Sequence, residues 1–129
     1  MVGSHSVVDS SGWIEYFLGT SRANFFAPAL EATDNLIVPA IAIYEVNKRI
    51  TQLISKDAAH QCIQIMRRRR VIPIDENRAI MACVVSIAHK LGFADAVMYS
   101  IAQEFEAKFW TQDSDYIGLA NVQFCEKID

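Results

Sequence analysis

Short apolar runs alternate with helix-length segments along the whole of this 129-residue chain, and that order restricts the folds open to it. Ser6 to Asp9 is a short apolar strand stopped by Ser10-Ser11-Gly12, after which Trp13, Ile14, Phe17 and Leu18 recur at helical spacing. Phe25 to Thr33 reads as a second short helix, and Leu36 to Val38 as a buried strand that Pro39 ends. Between Ile41 and Ile54 a helical arrangement places Ile43, Val46, Ile50, Leu53 and Ile54 on one face and Glu45 on the other side. A helix from Asp57 to Arg69 leads into a strand at Val71 to Ile74, where Pro73 marks a sheet edge or a strand end. Glu76 to Lys90 is a long helix with Ala, Ile, Met and Val on its buried side, stopped at Leu91-Gly92. Asp95 opens another helix that runs to Ala107, followed by a strand at Phe109 to Thr111, a loop from Gln112 to Leu119 and a last strand at Val122 to Phe124. Repeated β-α order of this kind predicts an α/β fold with a parallel sheet covered by helices on both faces.

A hydrophobic content of 52% supplies material for one core, and a single domain spanning 1–129 is expected. Twelve basic against fifteen acidic residues give a net charge of −3, which does not advertise a nucleic-acid binder. A local basic patch beside a metal-filled acidic site would carry phosphates at the same overall balance, so bulk charge decides nothing. Cys62, Cys83 and Cys125 are an odd number, and two of them fall in apolar helical patterns where a small buried thiol packs well. Free thiols in a reducing compartment are expected. His5, His60 and His89 lack ligand spacing, and no Cys/His cluster suggests structural zinc. The segment before Asp9 is too short and polar for a signal peptide, and no apolar run approaches the roughly 18 residues of a membrane span. A cytoplasmic protein without a membrane partner is expected.

Carboxylates stand where these elements end: Asp9, Glu45, Asp95 and Asp113. In an open parallel sheet, ligands bind outside the carboxyl ends of the strands, near the point where strand order reverses. Asp9 ends the first strand, Asp113 lies just past Phe109 to Thr111, and Glu45 and Asp95 fall in the first turns of their helices, so all can face one edge. Carboxylates gathered without matching cations repel, and the usual compensation is a divalent metal held by oxygen ligands. A metal among acids points to phosphodiester hydrolysis. Each acid also has a plain structural role open to it. Asp9 suits a helix N-cap and Asp95 complements a helix dipole. Glu45 has Lys48 and Arg49 at i+3 and i+4, a surface pairing worth roughly a few tenths of a kcal/mol. Asp113 and Asp115 suit a turn. Their joint occurrence at the right element ends favours a site.

In these residues the chain resembles the PIN domain family, and more closely its VapC-type toxin ribonucleases of type II toxin-antitoxin pairs. The resemblance runs from VVDSSGWIEYF through PAIAIYEVNKR and GFADAVMYSIA to FWTQDSDY, with D-S-S-x-W, A-D-A and T-x-D-x-D specific in combination. It implies a central parallel β-sheet of four to five strands flanked by α-helices on both faces, a Mg²⁺ or Mn²⁺ site, and endoribonuclease activity on RNA such as tRNA or rRNA. It also implies a homodimer and a cognate VapB-type antitoxin that occludes the site in a heterotetramer or larger assembly. Carried over residue by residue, Asp9, Glu45, Asp95 and Asp113 match the acidic quartet, with Asp115 as an accessory acid and the split between Asp113 and Asp115 open. Ser10 and Thr111 match polar positions beside the acids, and Tyr116 stands where Phe is usual.

Among the cations, Lys48 and Arg49 are best placed to bind RNA beside the site. The Arg67 to Arg70 run is better read as a solvated helix C-terminus that complements the macrodipole. Trp13, Tyr16 and Phe17 are more often core residues than base-stacking ones. A phosphoacceptor receiver domain shares the β-α order, and Asp75 follows the third strand as it requires. The first-strand acid stands alone, however, and Phe124-Cys125-Glu126 supplies no lysine at the last strand. A non-toxin PIN ribonuclease and a non-catalytic PIN-like binding module are the remaining alternatives, the latter predicting an eroded acidic set.

Overall fold

The computed structural model describes residues 4–126, and the outermost residues of the expected 1–129 domain lie outside that range. The described elements run β1 (Ser6–Val8), α1 (Ser10–Leu18), α2 (Ala23–Glu31), β2 (Leu36–Pro39), α3 (Ala40–Leu53), α4 (Lys56–Arg67), β3 (Arg70–Ile72), α5 (Glu76–His89), α6 (Phe93–Glu104), β4 (Lys108–Thr111) and β5 (Val122–Phe124). Single 3₁₀ turns stand at Thr33–Asn35 and Ser114–Tyr116. The strands form one parallel sheet in the order β3-β2-β1-β4-β5. Val7 pairs with Ile37 on one side and Phe109 on the other, which fixes the register of the central strands.

Successive strand residues point to opposite faces, so a strand buried at every position needs cover on both sides. β1 and β2 are buried throughout, and the helices supply that cover. The edge strands β3 and β5 are only partly buried. In α6 the run Ala96 to Ala102 is buried without interruption, which makes this helix a core element rather than an amphipathic surface one. No single described helix is long and apolar enough to cross a membrane.

Several local expectations need correction. Ser10-Ser11-Gly12 does not stop the chain but forms the first turn of α1. Gly12 is there for close approach, since a Cβ would stand 2.7 Å from the Phe26 ring and from Val8. β3 ends at Ile72, leaving Pro73 and Ile74 beyond the strand. α5 is stopped by Lys90 in the left-handed conformation (φ 58°), whereas Gly92 has ordinary dihedrals and precedes α6. α3 buries Ala42, Val46 and Ile50, but Leu53 and Ile54 are exposed at its end. In α5 only Ala82 and Val85 are buried, while Ile80, Met81, Val84 and Ile87 are 54–76% exposed. The core takes the small-residue side of α5 because α6 packs closely there, and the larger side chains face outward. Cys62 and Cys83, the helical pair, are half-buried and exposed rather than core residues, and all three cysteines are free.

Candidate active site

Strand order reverses between β1 and β4, and the chain leaves both strands at the same edge of the sheet. The Asp9 amide still donates to the Trp110 carbonyl (2.9 Å), so Asp9 is held as an extension of the β1–β4 ladder. Its side chain makes no capping hydrogen bond to α1, which removes the N-cap explanation. Instead Asp9 is 4% exposed and its Oδ2 accepts from the Thr111 hydroxyl at 2.8 Å, with longer contacts from Ser10 and Ser11 at 3.4 Å. Thr111 Oγ1 in turn accepts from the Asp113 amide at 2.9 Å. One hydroxyl at the end of β4 therefore ties two of the acids together.

Asp95 comes from the first turn of α6, and Asp113 and Asp115 from the loop after β4. A carboxylate oxygen from each lies within 4.8 Å of the others. Asp113 also has the expected turn role, since its Oδ1 accepts from the Asp115 amide at 2.9 Å. That bond caps the 3₁₀ turn and fixes the spacing of the two acids. Asp9, Asp95 and Asp113 wall a cavity of about 330 Å³. Glu45 stands one step away: its Oε1 accepts from the Ser10 hydroxyl at 2.8 Å, and it lines an adjoining cavity of about 340 Å³ with Lys48 and Arg49. Ser10 and Ser11 border both cavities. The largest cavity, about 500 Å³, lies elsewhere, beside α5 and α6. There the Arg78 guanidinium is already paired with Glu104 (2.9 Å) and Asp75 (3.2 Å), and no convergent set of acids faces it.

The electrostatics follow from this crowding. Burial pushes the Asp9 carboxyl up to about 7, opposed by the Thr111 hydrogen bond and reinforced by the negative charges of Asp95, Asp113 and Glu45. Burial also raises Asp95, a neighbouring Tyr116 hydroxyl opposes the rise, and Asp113, Glu45 and Asp115 add to it. Tyr116 is fully buried with no hydrogen bond completed by its hydroxyl, and its ionisation is strongly disfavoured by burial and by Asp9 and Asp95. The donor set is all carboxylate oxygen, which suits a hard divalent cation of the Mg²⁺ or Mn²⁺ type rather than zinc. No salt bridge among the described residues reaches any of these acids, so a cation there would relieve their repulsion.

The remaining expected positions fall away from the acids. Arg67 to Arg70 disperse over the end of α4 and the start of β3, with Arg70 over the Phe105 ring at 4.7 Å. Trp13 is 1% exposed and stacks on Phe17 at 5.6 Å, so it is a core residue. Two residues on the wall of the acidic cavity carried no sequence signal: Arg22, at the start of α2, and Gln112. Arg22 sits in a turn with no periodicity, and its proximity to residue 112 depends on the β1–β4 pairing.

The sequence profile of the PIN domain family matches residues 6–122. No curated protein matches the chain. Among solved structures, the chain is similar to a toxin-antitoxin complex from Klebsiella pneumoniae, with TM-score 0.77 and 21% identity over 95% of this chain and 99% of that one. It is also similar to Mycobacterium tuberculosis VapC20, a sarcin-ricin loop cleaving toxin, with TM-score 0.74 and 18% identity over 92% and 98% of the two chains. DNA-bound VapBC from Salmonella typhimurium gives TM-score 0.70 and 12% identity over 93% and 96%. At these identities the likeness is one of fold.

Proposed function

The chain belongs to the PIN domain family, and from that premise we propose that it is a Mg²⁺- or Mn²⁺-dependent endoribonuclease acting as the toxin of a VapBC-type pair. The observation that carries the reading is the grouping of Asp95, Asp113 and Asp115 within 4.8 Å, beside the buried Asp9 and without an ion-paired cation. Asp9, Asp95 and Asp113 would hold the ion, with Asp115 as an accessory ligand and Glu45 linked to Asp9 through Ser10. A bound divalent ion supplies Lewis-acid stabilisation of the phosphodiester oxygens and lowers the pKa of water.

The chain's own residues do the rest. Thr111 and Ser10 are positioning residues: their hydroxyls donate to Asp9 and Glu45 and leave the remaining carboxylate oxygens facing the cavities. Lys48 and Arg49, exposed on α3 beside Glu45, would contact phosphates of the same strand. Hydrolysis by water leaves a 5′-phosphate and a 3′-hydroxyl. The named assemblies of the structural neighbours support a VapB-type antitoxin as partner, and the outward apolar stripe of α5 supports a homodimer, with a heterotetramer or larger particle once antitoxin binds. RNA such as tRNA or rRNA as substrate places its action in the cytoplasm, and the chain works as one PIN domain.

The test is incubation of total RNA with the purified, antitoxin-free protein in Mg²⁺ or Mn²⁺, in EDTA, and with Asp9→Asn or Asp95→Asn. Discrete cuts that chelation and either substitution abolish are expected. Cleavage indifferent to EDTA would overturn the metal mechanism, and absence of cleavage by protein shown by its thermal melt to be folded would favour a non-catalytic binding module.

A further inference from the structure

We propose that Arg22 is the phosphate-binding arm of the acidic site, an assignment that rests on the ribonuclease reading above. Arg22 walls the cavity that Asp9, Asp95 and Asp113 share, on the side formed by the α1–α2 turn. It is held at both ends. Its amide donates to the Thr20 hydroxyl at 3.3 Å, and that hydroxyl donates to the Glu15 carboxylate at 2.8 Å. Its Nη1 donates to Gln112 Oε1 at 2.9 Å, across 90 residues of sequence. Gln112 lies between Thr111 and Asp113, so the guanidinium is tethered to the same short segment that positions the acids.

The nature of that tether matters. An arginine kept only to neutralise the acids would pair with one of them, yet among the described residues Arg22 makes no salt bridge and its anchor is a neutral amide. A guanidinium has five N–H donors in a fixed fork, and this one commits a single nitrogen to the protein. A cation beside carboxylates but not bonded to them leaves room for an anion that both a metal at the acids and the guanidinium attract. The RNA backbone phosphate is that anion. Because the side chain is held in place before substrate arrives, little conformational entropy is lost on binding. With Lys48 and Arg49 on the adjoining cavity, and Ser10 and Ser11 at the junction, the cations bracket the acids along one trough.

The test is fluorescence anisotropy with a labelled single-stranded oligoribonucleotide of mixed sequence, titrated at several salt concentrations in the Asp95→Asn background so that cleavage does not intervene. Arg22→Ala is expected to weaken binding about tenfold. It should also make the slope of log affinity against log salt shallower by about 0.7, the loss of one phosphate contact. Arg22→Lys is expected to keep the slope. Arg22→Gln, which removes the charge at similar size, serves if the alanine variant does not fold. Mn²⁺ affinity, read by calorimetry with the Asp95 side chain intact, is expected to be unchanged or tighter in Arg22→Ala. An unchanged salt slope would overturn the assignment, whatever happens to Mn²⁺ affinity, and would make Arg22 a counter-charge for the acids. A parent protein that neither binds nor cleaves RNA would overturn the ribonuclease reading along with it.

Discussion

Burying a carboxylate and surrounding it with other carboxylates both disfavour its charged form, and Asp9 meets both conditions. Its carboxyl rises from an ordinary 3.8 to about 7, so between those values the folded protein holds a proton that the unfolded chain has released. Stability from this group is therefore complete below about pH 4 and lost as pH rises through about 7. In EDTA-treated protein the melting temperature should fall across that interval, with Asp95 contributing in the same direction, and Asp9→Asn should flatten the fall. A melting temperature that rises from pH 5 to 8 would contradict this assignment of the proton. Mn²⁺ competes with the same proton, so its affinity should increase through about pH 7 in a calorimetric titration. Gly12 makes a separate prediction. A methyl group added at Gly12 would lie 2.7 Å from both Phe26 and Val8, so Gly12→Ala should destabilise the fold by about 1–3 kcal/mol in urea denaturation. The four principal acids were legible because each stands at an element boundary. Arg22 was not, because nothing local distinguishes it from any polar turn residue.

At the scale of elements, alternating strand and helix periods located nearly every boundary to within a few residues, because the two patterns repeat at different intervals. What those patterns do not determine is which side of a doubly apolar helix is covered. α5 carries Ala82 and Val85 on one side and Ile80, Met81, Val84 and Ile87 on the other, and its own sequence is compatible with either orientation. Packing against α6 selects the small side. The exposed stripe is the surface on which the proposed homodimer rests, so Val84→Asp or Ile87→Asp should lower the mass measured by light scattering toward that of one chain. The circular dichroism spectrum should be unchanged, since neither residue is in the core. A parent protein that is monomeric at all concentrations would remove this use of the stripe.

For the whole molecule, the strand order β3-β2-β1-β4-β5 brings the earliest strand to the centre and makes its end the meeting point of distant segments. Asp9, Asp95 and Asp113 become neighbours only when β1 has paired with β4 and α6 has docked. Metal binding should therefore report global folding. At a Mn²⁺ concentration about 100 times its Kd, the unfolding free energy should rise by about 2.7 kcal/mol, and the melting temperature with it. A binding isotherm that survives in urea-unfolded protein would show that the ligands do not need the sheet. The same interleaving bears on how such a protein is disposed of. A single proteolytic cut between Asp9 and Asp95, once the two pieces part, leaves neither with the full set of acids, so clearance by a cell's proteases begins with loss of activity rather than ending with it.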